Sequence, residues 1–289
     1  MKHYVKTYIF KALSTLPHSL GSKIYHQLQN VSENKNIEGK LKSTENTLNS
    51  LDSIFSNLKI DPQNKSAIEI GSGWLPISPY ILIHKYKLKN VYTFDINKHY
   101  QTKNILRFNS LFSKIYNCDI TVSNNQYSLP ENVHYFPFQN IIDAEIPKAD
   151  IVFSRFVLEH VTPMDIKEMH KKFKNSLPKG SYIVHFISPS DHRAYSDKSL
   201  SLQEFLKYSS EEWNSIQTRF DYHNRLRLPQ YLDIFNSLDL EIVYISHDNP
   251  MPNSPQEQKF KSLKLHEDFL KYSEKELTAG SINIVLKIS

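Results

Sequence analysis

The residues best suited to chemistry lie in a glycine turn between an apolar stretch and a helical pattern. Gly71 and Gly73 flank Ser72, and Glu69 comes just before the turn. Glycine lets the backbone approach a ligand closely, because it has no side chain in the way. A second apolar stretch further along ends on Asp95. An acid at this position can accept hydrogen bonds from both hydroxyls of a ribose, so the two features together predict a nucleoside site.

The glycine turn differs from the fingerprint of dinucleotide-binding proteins. Trp74, Leu75 and Pro76 follow Gly73, so the third glycine of that fingerprint is absent. This glycine normally lets the helix pack close beside a pyrophosphate, and its absence argues against NAD or FAD. The sequence also has no Gly-Lys-Ser or Gly-Lys-Thr of a phosphate-binding loop. We therefore expect a nucleoside without a pyrophosphate.

A second group of reactive residue types lies between positions 160 and 231. Histidine can act as a general base near neutral pH, and a neighbouring acid can support it. Arginine and asparagine can bind a phosphate, a carboxylate or the oxygens of a sugar. The expected catalytic residues are His160, Asp191, His192 and His223, and the expected acceptor-binding residues are Tyr222, Asn224, Arg225 and Arg227. No metal is expected among them, and a purely structural role is the alternative for each one.

The elements that must position these residues follow from the apolar pattern. From Ser66 onward short apolar strands alternate with amphipathic helical stretches, as in a parallel sheet covered on both faces. Strands are predicted at Ser66 to Ile70, Val91 to Asp95, Val133 to Phe136, Asp150 to Ser154, Ser181 to Ile187, Glu241 to Ser246 and Ile282 to Lys287. Helices are predicted at Ile77 to Lys87, Tyr100 to Ile115, Asp165 to Leu177 and Pro229 to Leu238. Residues 1 to about 60 are predicted to be helical, with a loop from Val31 to Lys40.

Four motifs in this order resemble the class I S-adenosylmethionine-dependent methyltransferases. They are the turn from Glu69 to Gly73, the acid Asp95, the strand Ala149 to Ser154, and the turn Leu177 to Ser181. The resemblance covers residues 64 to 247 and implies an α/β fold with a doubly wound, mostly parallel seven-stranded sheet of Rossmann-like type. It divides the chain into an N-terminal helical extension, 1–60, and a methyltransferase domain, 61–289, with insertions at 189–228 and 248–280.

The resemblance also implies S-adenosylmethionine as the cofactor and assigns residues to its parts. The backbone of Gly71, Ser72 and Gly73 would face the methionyl and adenosyl portions, with Glu69 supporting the turn. The remaining expected contacts are Asp95 to the ribose hydroxyls, Ile96 beside the adenine, and Ser154 and Arg155 at the methionine moiety. The chain is therefore expected to be an enzyme that transfers a methyl group.

The methyl acceptor is less well defined. The segments Ser190 to His192 and Asn224 to Arg227 are similar to a bacterial branch of these methyltransferases associated with surface-polysaccharide synthesis. This similarity implies O-methylation of a sugar, a glycan precursor or another small polar molecule. RNA or protein methylation and a non-catalytic S-adenosylmethionine-binding or scaffold protein remain alternatives. The Asn/Asp-Pro-Pro-Tyr motif of many nucleic-acid amino methyltransferases is missing after Ser154.

Composition narrows the class of protein further. Hydrophobic content of 39% and charged content of 22% are typical of a globular protein. The net charge of +5 is spread along the chain, which gives no strong nucleic-acid signal. One cysteine, Cys118, excludes an internal disulfide and a cysteine-rich zinc site. No apolar run is long enough to cross a membrane, so we expect a cytoplasmic protein, with a homodimer left open.

Overall fold

The structure of the chain is a computed structural model that describes residues 3–33, 35–123 and 126–289. Its helices are α1 (His3–Ser14), α2 (His18–Glu33), α3 (Ile37–Leu48), α4 (Ser50–Leu58), α5 (Ile77–Tyr86), α6 (Thr102–Tyr116), α7 (Pro163–Ser176), α8 (Arg193–Ser196), α9 (Ser210–Ile216), α10 (Leu228–Asn236), α11 (Pro255–Lys261) and α12 (Glu274–Thr278). Short 3₁₀ helices lie at Leu158–His160, Glu204–Lys207 and Glu267–Phe269. Its strands are β1 (Ser66–Ile70), β2 (Asn90–Asp95), β3 (Val133–Pro137), β4 (Ile151–Arg155), β5 (Tyr182–Ile187), β6 (Glu241–Asp248) and β7 (Gly280–Lys287).

The described strands form one sheet in the order β3-β2-β1-β4-β5-β7-β6. Strand β1 pairs in parallel with β2 on one side and with β4 on the other, and β2 pairs in parallel with β3. A strand in this interior position is covered on both faces, and β1 is accordingly buried from Ala67 to Ile70. All seven predicted strands are confirmed, as is the α/β fold class with helices preceding the first strand.

The predicted loop from Val31 to Lys40 was wrong over most of its length. Helix α2 continues to Glu33, and α3 already begins at Ile37; Asn34, like Met1 and Lys2, lies outside the described residues. The Oδ1 atom of Asn36 accepts the backbone N–H of Gly39 at 2.9 Å and so caps α3. A capped helix needs only one apolar face, and this segment therefore folds despite its polar composition.

The chain divides into two compact units. The first unit consists of Met1–Tyr25, Arg155–His170 and His185–Ile284, and the second unit of His26–Ser154, Lys171–Val184 and Val285–Ser289. In the second unit, buried side chains of α3 and α4 pack near α5, where the Tyr86 hydroxyl donates to the Leu48 carbonyl at 2.7 Å. The glycine turn and Asp95 belong to this unit.

In the first unit, the two predicted insertions share one hydrophobic core. Its buried members come from both stretches and are Phe205, Leu206, Trp213, Phe260, Phe269 and Leu277. The start of the chain, up to Tyr25, is part of this unit: the Tyr25 ring stacks on that of Phe220 with centroids 4.7 Å apart. Among the described residues, no helix has both the length and the apolar character needed to cross a membrane.

Candidate functional site

The glycine loop, residues 71–73 of the second unit, holds a conformation that favours glycine. Gly71 has φ +81° and Gly73 has φ +58°, both in the left-handed region. The Gly71 N–H donates to the Phe94 carbonyl at 2.9 Å, which ties the loop to the end of β2. A Cβ placed on Gly73 would meet no atom within 4 Å. The loop is therefore tied to β2 at Gly71, and the space beside the backbone at Gly73 is open.

Asp95 is joined directly to the glycine loop. Its Oδ2 accepts the N–H of Ser72 at 2.9 Å and lies 3.0 Å from the Ser72 hydroxyl. Its Oδ1 accepts the N–H of Asn97 at 2.8 Å. The Ser72 hydroxyl also lies 3.0 Å from the Gly73 carbonyl. One hydroxyl donates one hydrogen bond, so Asp95 gains an accepting position when Ser72 turns to Gly73.

The neighbours of this pair suit a nucleoside. Glu69 is buried on β1 and accepts the Thr93 hydroxyl of the adjacent strand at 2.9 Å, so it supports the loop from within the sheet. Ile96 is 67% exposed and offers an apolar surface next to Asp95. The open backbone at Gly73, the carboxylate and this apolar side chain together fit the adenosyl part of S-adenosylmethionine.

Two aromatic residues near Asp95 were not predicted. The Nε2 atom of His99 lies 3.5 Å from Oδ1 of Asp95, and its ring centroid is 4.5 Å from that of Trp74. The four-residue spacing from Asp95 to His99 is the signal that sequence reasoning could have used.

The two residues expected at the methionine moiety lie at the end of β4. Ser154 is fully buried there. Arg155, which belongs to the first unit, places its guanidinium 4.3 Å from the Phe156 ring.

The first unit brings three of the predicted catalytic residues together in a histidine cluster, defined here as Glu159, His160, His192 and His223. The ring centroids of His160 and His192 are 5.0 Å apart, and that of His223 lies 5.7 Å from the former and 5.3 Å from the latter. Glu159, the fourth member, was not predicted as a site residue. It is fully buried, and its position next to His160 is the signal that sequence reasoning could have used.

Hydrogen bonds fix the protons on two of the imidazole rings. His160 Nδ1 lies 2.8 Å from the Tyr222 carbonyl, which can only accept, so Nδ1 carries a hydrogen and, in the neutral ring, Nε2 is the acceptor nitrogen. His223 has the opposite arrangement: its Nδ1 accepts the N–H of Arg225 at 3.2 Å, so Nε2 carries the hydrogen of the neutral ring. His160 is therefore the better base or ligand of the two.

Burial shifts the pKa values of two cluster members in opposite directions. Burial raises the pKa of Glu159 to about 8, against the opposing effect of the backbone N–H groups of Glu159 and Ser188 and of the Arg155 charge. Burial, followed by the charges of His192 and His160, lowers the pKa of His223 well below its usual range. Both residues are uncharged at neutral pH when they have no further partner.

Asn224 ties together two segments that carry the cluster. Its Nδ2 donates to the carbonyls of Leu158 at 2.6 Å and Val161 at 2.8 Å, and its backbone N–H donates to the Glu159 carbonyl at 2.9 Å. These bonds hold the turn that bears His160 against the segment 222–224. The contacts make Asn224 a positioning residue for the cluster, whereas its predicted contact with an acceptor stays a prediction.

Three further charged residues of the prediction are engaged within the first unit. Asp191 is buried and binds Nη2 of Arg193 at 2.6 Å. Arg225 Nη1 donates to the carbonyls of Phe205 at 3.0 Å and Tyr208 at 2.7 Å. Arg227, fully buried, donates to the carbonyls of Pro189 (2.6 Å), Arg225 (3.1 Å) and Leu277 (3.3 Å). These contacts favour structural roles, and the assignment of the two arginines to an acceptor stays a prediction.

Comparison with known proteins supplies the fold class. No protein-family model and no curated protein matches the chain. A candidate sarcosine dimethylglycine methyltransferase from Galdieria sulphuraria is similar in structure, with a TM-score of 0.51 and 12% identity over 86% of this chain and 87% of that chain. A magnesium protoporphyrin IX methyltransferase from Synechocystis, with bound SAH, gives a TM-score of 0.46 at 11% identity over 84% and 83%.

A further solved structure is the S-adenosylmethionine-dependent methyltransferase from Mesorhizobium loti, with a TM-score of 0.47 at 12% identity over 81% of this chain and 96% of that chain. The sheet order and the similarity to the Galdieria sulphuraria protein show that the chain has the fold of class I S-adenosylmethionine-dependent methyltransferases. Fold alone does not set the reaction, which has to be argued from the site.

Proposed function

We propose that this chain is an S-adenosylmethionine-dependent methyltransferase that methylates a hydroxyl group of a small polar acceptor, a sugar or a glycan precursor. The observation that carries the proposal is the Ser72–Asp95 pair beside the open backbone of Gly73. In this fold, ligands bind at the carboxyl ends of the strands. Here β1 runs into the glycine loop, and β2 ends on Asp95.

The residues of the second unit would hold the methyl donor. Asp95 would accept a ribose hydroxyl, the backbone at Gly73 would allow close approach, and Ile96 would cover the adenine. S-adenosylmethionine supplies, when bound, a methyl group already activated for displacement. The chain itself has to orient the acceptor, exclude water and, for a hydroxyl acceptor, accept a proton.

The first unit supplies the groups suited to a hydroxyl proton. Because the Tyr222 carbonyl accepts the His160 Nδ1–H, Nε2 is the nitrogen of neutral His160 that would accept a proton from a substrate hydroxyl. We assign His160 as the leading base and His192 as the second, and His223 as a hydrogen-bond donor through Nε2. The glycan precursor is proposed from the sequence similarity of the segments 190–192 and 224–227.

Calorimetry with S-adenosylmethionine tests the donor assignment. We expect the chain to bind it, and Asp95→Ala to weaken binding roughly 10- to 100-fold, since hydrogen bonds to a charged group contribute about 1.5–3 kcal/mol. Asp150→Ala is the matched control. It removes another carboxylate of the second unit, which accepts the Ser66 N–H at 2.9 Å, away from the glycine loop. Absence of binding by the wild-type chain would refute the proposal.

A methyl-transfer assay tests the acceptor class. Labelled S-adenosylmethionine is incubated with the chain and with separate polysaccharide, lipid, RNA and protein fractions. Label in the polysaccharide fraction or in its small precursors is the expected result. Transfer confined to RNA or to protein would overturn the proposed acceptor while leaving the donor assignment in place. Binding without transfer to any fraction would favour a non-catalytic binding protein.

A further inference from the structure

The histidine cluster of the first unit has the donor set of a metal centre. One ligand atom each from Glu159, His160 and His192 lie within 4.8 Å of one another. Two atoms bound to the same Zn²⁺ at about 2.1 Å are at most about 4.2 Å apart. Side-chain shifts below about 1 Å would therefore bring all three into the coordination sphere of one ion. We propose that Glu159, His160 and His192 bind one divalent transition-metal ion of the Zn²⁺ class.

The orientation of His160 supports this proposal. Metal-binding histidines commonly donate their second ring N–H to a backbone carbonyl or a carboxylate, which fixes the tautomer and the direction of the ring. His160 does so through Nδ1 to the Tyr222 carbonyl at 2.8 Å. In the neutral ring, Nε2 is then the nitrogen that would coordinate the ion. Asn224 holds the turn that carries His160 in place, because its Nδ2 donates to the carbonyls of Leu158 and Val161.

Glu159 provides an independent observation that points to a ligand. Its side chain is fully buried, and its Oε1 accepts the N–H of Ser188 at 3.2 Å. Its Oε2 is also buried, and within the described part of the chain no group donates a hydrogen bond to it. Buried polar atoms normally have partners, so an oxygen of this kind beside two imidazoles requires an explanation. A bound cation is the partner that matches all three groups.

The ligand types select the class of metal. Two imidazoles and one carboxylate suit Zn²⁺, Fe²⁺ and related ions, whereas Mg²⁺ and Ca²⁺ prefer sites made of oxygen atoms. Three protein ligands leave at least one position open, as in catalytic rather than structural zinc sites. His160 is exposed, so an ion could reach the cluster from solvent. Where the proposed function holds, such an ion would polarise an acceptor hydroxyl in place of an imidazole base.

The direct test is zinc binding by the untagged chain. The chain is first freed of metal with a chelator, and binding is measured without S-adenosylmethionine. We expect one Zn²⁺ per chain by calorimetry and by metal analysis after gel filtration. Glu159→Gln, His160→Ala and His192→Ala should each weaken binding at least about tenfold. His247→Ala is the matched control, because His247 is an exposed histidine of the first unit outside the cluster. Its affinity for Zn²⁺ should equal that of the wild-type chain.

A measurement on the wild-type chain keeps the proposal testable if the variants do not fold. Co²⁺ bound in place of Zn²⁺ should give visible absorption bands of a nitrogen- and oxygen-ligated ion. It should also shift the proton signal of His160 Nδ1–H, which the Tyr222 carbonyl protects. No stoichiometric binding, equal affinity in all variants, or an unshifted His160 signal would each overturn the proposal. None of these outcomes bears on S-adenosylmethionine binding, which is tested separately.

Discussion

The glycine loop of the second unit and the segment 185–231 of the first unit use polar groups differently. At the loop, the backbone itself shapes the site: two glycines have positive φ, and the space beside Gly73 is open. In the segment 185–231 three charged side chains, those of Asp191, Arg225 and Arg227, are buried. Arg225 and Arg227 bind backbone carbonyls, and Asp191 binds Arg193.

This difference separates residues that shape a site from residues that meet a ligand. A guanidinium that already donates to three buried carbonyls would leave them without partners if it turned to a substrate. The groups of the first unit that we propose for chemistry are Glu159, His160 and His192. Each of the following experiments can break this distinction or make it sharper.

Substitution of Arg227 should have the largest effect. Arg227→Met leaves three buried carbonyls without a donor, so we expect the free energy of unfolding to fall by about 3–5 kcal/mol. Urea denaturation measures the change. Arg219→Met, at an exposed arginine of the same unit, should change stability by less than about 0.5 kcal/mol. A stable Arg227→Met protein that had lost only methyl transfer would show instead that Arg227 meets the acceptor.

The buried histidine pair of the first unit should produce the next largest effect. His170 Nδ1–H donates to the Ile166 carbonyl at 2.6 Å, so His170 Nε2 accepts Nε2–H of His185 at 2.8 Å. Burial lowers the pKa of His170 to about 4 and that of His185 well below its usual range. The unfolded chain therefore binds more protons below pH 6.5, and stability decreases as the pH falls toward 4.

From pH 7 to pH 4.5 we expect His170 to account for a loss of about 2–3 kcal/mol. In His170→Gln this part of the pH dependence should disappear. Urea denaturation at the two pH values, with exposed His247→Gln as the control, gives the comparison. Equal pH dependence in His170→Gln and the wild-type chain would show that His170 is not held neutral by its buried position.

The glycine loop should show the smallest change in stability and a selective change in binding. Gly73→Ala and Gly180→Ala both place a Cβ at positive φ, at +58° and +85°, with no atom within 4 Å. Each should cost about 1–2 kcal/mol of stability. Only Gly73→Ala should weaken S-adenosylmethionine binding, by about tenfold, as measured by calorimetry. Equal affinities in the two variants would mean that the space above Gly73 is not where the ligand lies.

Local patterns in the sequence were sufficient for the sheet and for the glycine loop. Each strand is a short apolar run between turn signals, and a positive φ can be expected where glycines occupy a strand-to-helix turn. The predicted loop at 31–40 failed because one cap, Asn36, and a few buried apolar residues were enough for a helix. For this segment, the capping residue was a better indicator of a helix than the polar composition.

The histidine cluster and the arginine contacts could not be derived in the same way. Glu159 and His192 are distant in sequence, and only the folded first unit places their side chains together. Fully buried arginine is rare, so sequence reasoning assigns Arg227 to a ligand by default. Which carbonyls it meets depends on segments near positions 189 and 277, whose paths no local pattern specifies.

The contacts of Arg227 have a consequence for protein engineering. Pro189 and Leu277 lie in different predicted insertions, one guanidinium donates to the carbonyls of both residues, and both insertions contribute to one core. A designed chimera that kept only one insertion would expose apolar side chains and leave the buried charge of Arg227 without some of its hydrogen-bond partners. We therefore predict that a change of acceptor by exchange of this part requires both segments to be transplanted together.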